Sequence, residues 1–333
     1  MRNTRKAYGI AILLFFLAFI LSFSIGRYPI APFELIKILF SRIIPIERTW
    51  SAQMETVVFN IRLPRVVLSL LIGASLSVSG ISLQSVFSNP MASQDVLGAS
   101  QAAAFGASLA LLTGTGYLAM TLSSFFFGLL SVALVILISR SMRNNQMLAL
   151  ILGGILISSL FSSATSFIKL IADTENTLPA ITYFLMGSLA STRTSDIVLM
   201  IIVVSVAMVP LILISYRLNA LTLSNDEAES IGVDIKKLRI AVICLATFLT
   251  SSSVAVSGQI SWIGLVIPHF SRLILGNNTK DTLPLSAILG ASFLAFVDTI
   301  SRSITTSEIP LGILTSFIGA PVFLYLIIAE GRK

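Results

Sequence analysis

The stretch VAVSGQISWIGLVIPHFSRL (254–273), followed by LPLSAILGASFLAFVD (283–298) and EIPLGILTSFIGAP (308–321), decides the architecture. Each piece is apolar, and each is broken at fixed places by Gly, Pro or a lone charge. This is the pattern of helices that cross a bilayer and turn at its surfaces. The rest of the chain agrees. Apolar residues make up 55% of it and charged residues only 11%, against roughly 25% charged in a soluble protein. Charge-free runs cover 66–94, 96–139, 144–168, 197–216 and 240–268, and about 20 apolar residues suffice for one crossing. The run 96–139 holds two, with Thr113-Gly114-Thr115-Gly116 as the turn between them. The expectation is an all-α, polytopic membrane protein with about ten transmembrane helices, forming one domain over residues 1–333.

Arg2, Arg5 and Lys6 precede the first apolar run, as in a secretory signal. That run is about 20 residues long and ends in Gly26-Arg27-Tyr28-Pro29 without a small-x-small cleavage site, so it reads as a retained helix. Cys244 is the single cysteine, so an internal disulfide and dithiol redox chemistry are excluded. The net charge of +7 points to topology rather than to nucleic acid. With ten spans and both termini in the cytoplasm, 13 of the 22 Lys and Arg residues fall inside, as topology rules require. Six of the nine outside lie between Arg27 and Arg65. Residues 28–60 form a long external segment whose apolar spacing predicts a short amphipathic surface helix.

Small residues recur every four positions at Gly98, Ala102 and Gly106, and again at Gly312, Ser316 and Ala320. Such spacing lets membrane helices approach closely. Gly154, Ser158, Ser162 and Ser166 form a polar stripe on the fifth span, which close packing and a water-lined path explain equally well.

Charge inside the spans is nearly absent: only Asp298, His269 and Arg272 come near one, each close to an end. A carrier driven by protons or sodium places Asp, Glu or His at mid-membrane, or breaks helices around the ion, so a secondary transporter is disfavoured. An intramembrane protease needs a partner for its nucleophile or paired aspartates, and neither is present. His269 has no Cys, His or carboxylate at ligand spacing, so it reads as a structural hydrogen-bonding residue and no metal site is expected. No cofactor is implied. The segment 221–239 reads as a helix started by Ser224 and Glu227, a left-handed turn at Gly232, and a second helix capped by Asp234. Asp226, Glu227 and Glu229 give it an acidic edge.

Several motifs stand in order across about 260 residues: Arg62-Leu63-Pro64-Arg65; Gly80, Gln84, Asn89-Pro90 and Leu97-Gly98; then Gly258, Gly264-Leu265, Pro268-His269, Arg272, Asp298, Arg302, Glu308, Pro310, Gly312, Gly319 and Pro321. Met91 stands where Leu is commoner. With these the chain resembles the FecCD/BtuC-like permeases, the membrane subunits of type II ABC importers for iron chelates, haem or vitamin B12. The resemblance implies a homodimer, two partner ATPase subunits and an extracytoplasmic binding protein. It assigns ATPase coupling to Asn225, Asp226, Glu227, Ala228, Glu229, Ser230, Ile231, Gly232 and Val233, in a cytoplasmic segment over 221–238. It places the helix that carries Gly154, Ser158, Ser162 and Ser166 beside the pathway. Arg62, Arg65 and Arg302 become a basic outer rim that docks the binding protein, with Asp298 pairing to Arg302 one helical turn away. Asn145, Gln146 and Met147 are placed at the inner gate by position. The chain has no G-x4-GK-[ST] loop, so ATP hydrolysis belongs to a partner and the chain is not itself an enzyme. Iron-siderophore is the expected substrate; haem, cobalamin and molybdate are served by near relatives.

Overall fold

Apolar runs separated by glycine turns fold as helices, because only intrasegment hydrogen bonds satisfy the backbone in hydrocarbon. The computed structural model describes residues 2–26, 28, 30–42, 44–141, 146–223, 227, 232–305 and 307–330. Its helices are α1 (Arg2–Ser24), α2 (Pro32–Phe40), α3 (Ala52–Phe87), α4 (Ala99–Thr113), α5 (Tyr117–Ser141), α6 (Gln146–Ile171), α7 (Thr177–Leu185), α8 (Thr194–Leu213), α9 (Ile235–Ser257), α10 (Ile263–Leu275), α11 (Thr279–Ser301) and α12 (Leu311–Glu330). Seven are long and apolar enough to cross a membrane, and α4, α10 and α12 are shorter apolar helices. Together they account for the ten spans expected. The turn at 113–116 falls where the glycines place it, between α4 and α5.

Helix α3 is the axis of the bundle, packed against α9, α10 and α11. Two glycine contacts set these crossings. A methyl group at Gly73 would stand 2.3 Å from the carbonyl oxygen of Gly290, and one at Gly80 would stand 1.9 Å from that of Gly264. Backbones therefore touch, and dispersion along the contact replaces the hydrophobic force that lipid cannot supply. Serine hydroxyls add cross-links: Ser77 donates to the Ser286 carbonyl at 2.8 Å, and Ser79 to that of Ala246 at 2.8 Å.

The second span starts earlier than its RLPR signature indicates. Ser51 caps the helix by accepting from the Met54 amide at 3.2 Å, so the helix begins within the segment 28–60. A wider π-helical turn, Val57–Arg62, precedes Pro64, whose ring nitrogen cannot donate to the ladder. Helix α2 is a short helix within the segment 28–60 with one apolar face. Its Leu35 and Ile38 are buried with Phe23, Trp50 and Val58. Helix α1 is built into the bundle at both ends: Tyr8 donates to the Asp281 carbonyl at 2.7 Å, and the Ser22 and Thr299 hydroxyls lie 2.8 Å apart.

Candidate functional site

The end of the bundle where α1 and α11 finish gathers the predicted arginines. Helix α1 leaves its last carbonyls without intrahelical partners, as every helix does. Arg62 donates to the Phe23 and Tyr28 carbonyls, and Arg302 donates to the Ser22 carbonyl. Arg65 holds Asp298 through Nε at 2.9 and 3.1 Å and through Nη2 at 2.8 Å, and it reaches Glu308 through Nη1 at 2.8 Å. The Asp298–Arg302 pair exists, but at 3.5 Å. The arginines are therefore not an exposed rim. Arg62, Arg65 and Arg302 are only 4%, 7% and 8% exposed, because the frayed end of α1 and the Asp298 carboxylate draw the guanidinium groups inward. All three and Glu308 line an open cavity of about 310 Å³. Three cations against two carboxylates leave that cavity basic.

At the opposite end, α9 begins as expected. Gly232 adopts φ +75°, and Asp234 caps the helix by accepting from the Lys237 amide at 3.0 Å. That hydrogen bond, with Lys237 beside it, holds the Asp234 carboxyl below the usual carboxylate range. Of the residues assigned to coupling, Glu227, Gly232 and Val233 are described. Asn225, Asp226, Ala228, Glu229, Ser230 and Ile231 lie outside the described residues, as does Ser224 of the expected cap. Of the gate residues, Gln146 and Met147 open α6, and Asn145 lies outside the described residues.

The polar stripe of α6 divides in two. Gly154 is buried where a methyl group would stand 2.1 Å from the Val96 carbonyl oxygen, and Ser158 is half-buried beside Gly98. Ser162 and Ser166 are exposed, with Ser159 and Ser163 next to them. Close packing thus accounts for the first half, and an open polar face remains in the second.

One cavity went unread in the sequence. A space of about 560 Å³ lies between the end of α7, the break between α9 and α10, and α12. Met186, Gln259, Ser261, Gly312 and Ser316 line it. Gln259 is fixed by donating to the Ser100 carbonyl and the Gln101 Oε1, both at 3.2 Å. The signal for it was present in Gly258 and in the small residues Gly312 and Ser316. Nothing in their spacing announced that segments so far apart in the chain would meet. His269 is buried with its ring edge-on to Phe323. Among the described residues no three His, Cys, Asp or Glu side chains cluster as a metal site would require.

A bundle of apolar helices packed on a glycine-lined axis, seven of them among the described residues long enough to cross a membrane, is a polytopic membrane protein. The FecCD transport family profile matches residues 13–329, and the chain belongs to that family. The molybdate import system permease protein of Haemophilus influenzae is 37% identical over 316 residues, covering 95% of this chain and 93% of that protein. The Fe(3+) dicitrate transport system permease protein FecD of Escherichia coli is 35% identical over 287 residues, covering 84% of this chain and 88% of that one. A metal-chelate type ABC transporter solved in an inward-facing conformation superposes with a TM-score of 0.88 at 35% identity, covering 98% of this chain and 99% of that one.

Proposed function

We propose that this chain is the permease subunit of an ABC importer and carries an iron-siderophore or related metal chelate through a path formed by two copies. The observation that carries this reading is the family match along nearly the whole chain. In an importer of this class the energy for transport comes from partner ATPases rather than from an ion gradient. Two ATPase subunits supply it by gripping the segment 225–233 at the cytoplasmic face, where both termini lie. Gly232 and Asp234 set the direction in which that segment enters α9.

On the outer face, the cavity of Arg62, Arg65 and Arg302 receives acidic side chains of the binding protein. Its surplus positive charge supports that role. The open half of the α6 stripe, Ser162 and Ser166, lines the path with the cavity at Gln259, while Gly154 and Ser158 fix the helix that carries it. Gln146 and Met147, with Asn145, stand at the inner gate.

Molybdate is the second reading of the substrate, supported by the relative that matches 95% of the chain. The test is reconstitution of the chain with its ATPase and binding protein in liposomes. Ferric chelates are expected to stimulate ATP hydrolysis and uptake. Stimulation by molybdate and not by ferric chelates overturns the substrate. Uptake by the isolated chain from an ion gradient overturns the importer.

A further inference from the structure

A basic recess lies at the end of the bundle where α5 stops and α6 and α9 start. It holds about 220 Å³, several times the ≈ 30 Å³ that one water occupies in the liquid. Arg140, Lys236 and Arg239 line it together, and among the described residues no carboxylate does. None of the three pairs with an acid among the described residues. The Nε of Arg239 is buried without a hydrogen-bond partner. Gathering three like charges is unfavourable, and burying a guanidinium nitrogen unpaired adds to the cost. An anion in the recess would offset both.

Ile136, Leu150, Ile240 and Ile243 give the same recess an apolar share of its lining. Exposed Leu137 and Ile240 continue it along the outer surface of α5 and α9. A free oxyanion has no use for such a lining. A lipid has, because its phosphate sits at the level of the helix ends while its chains run along the apolar surface.

We propose that this recess binds the phosphodiester headgroup of an anionic phospholipid in the adjoining leaflet, with Arg140, Lys236 and Arg239 as its ligands. Each cation near an anionic lipid strengthens binding about fivefold, so removing all three weakens it about 100-fold. The experiment uses the purified full-length chain in detergent, titrated with phosphatidylglycerol or phosphatidylcholine, with bound lipid counted by native mass spectrometry. Wild type is expected to retain phosphatidylglycerol and release phosphatidylcholine. Replacing the three residues by Gln is expected to lower retention about 100-fold, and Arg239→Lys to keep most of it. Should the triple variant fail to fold, Arg140→Gln carries the test at about fivefold, because that side chain is exposed. Two results overturn the proposal. One is phosphatidylglycerol retention unchanged by the folded Gln variants. The other is displacement of the lipid by millimolar phosphate or molybdate, which would assign the recess to a free oxyanion.

Discussion

Removing Asp298 tests whether the buried charge cluster of Arg65, Asp298 and Arg302 acts as one unit. Asp298→Ala takes three close contacts from Arg65, at 2.8, 2.9 and 3.1 Å, and one from Arg302 at 3.5 Å. Breaking a buried pair from one side costs about 3–5 kcal/mol, because the remaining charge stays desolvated. Arg65 keeps Glu308 and Arg302 keeps the Ser22 carbonyl, so the lower value, about 3 kcal/mol, is expected. Arg65→Ala is expected to cost a similar amount, since Asp298 is then left with the longer Arg302 contact alone.

The double variant removes both members of the Arg65–Asp298 pair and leaves only the partly exposed Glu308 without its Arg65 contact, so it is expected to cost about 3 kcal/mol rather than the sum of about 6. The assay is unfolding of the purified chain by sodium dodecyl sulfate in mixed micelles, followed by far-ultraviolet circular dichroism. Arg42→Ala serves as the control. Its contact with Glu55 is 3.7 Å long and its side chain is 67% exposed, so a change of no more than about 1 kcal/mol is expected. Additivity of the two single variants within about 0.5 kcal/mol would refute the reasoning, since it would mean that Arg65 and Asp298 do not depend on each other.

Three further outcomes are expected. Gly80→Leu places a side chain where even a methyl meets the Gly264 carbonyl, so α3 and α10 must separate and the purified chain should lose its sharp gel-filtration peak. Ser77→Ala removes one interhelical hydrogen bond and should cost only about 0.6 kcal/mol in the same unfolding assay. Asp234 has a lowered folded pKa, so its cap is fully present above the unfolded value near 3.9 and is lost as pH falls through the folded value. Asp234→Asn should flatten that acid limb of the stability profile and leave the neutral range unchanged.

Much of this fold could be read directly, because span length and glycine turns are local properties. Gly114 and Gly116 separate α4 from α5 where the sequence puts them, and Asp234 caps α9 as its position before the apolar run implies. The burial of Arg62, Arg65 and Arg302 was not legible. Whether Arg62 faces solvent depends on α1 ending beside it, and no periodicity in either segment reports that meeting. Helix α3 begins ahead of the Arg62-Leu63-Pro64-Arg65 motif, at the cap that Ser51 provides. The α6 stripe was legible as a pattern only. Which of its residues pack against the loop before Gly98 and which remain open is a property of the assembled bundle.

The serine cross-links of α3 impose a delay on biogenesis. The Ser77 hydroxyl and its acceptor at Ser286 are 209 positions apart. At the usual 5–20 residues per second, ribosomal synthesis of that interval takes about 10–40 seconds. During this time the newborn helix must hold Ser77 and Ser79 in the membrane before their partners exist. Its glycine faces at Gly73 and Gly80 stay open to premature association with neighbouring nascent chains until the last third of the polypeptide arrives.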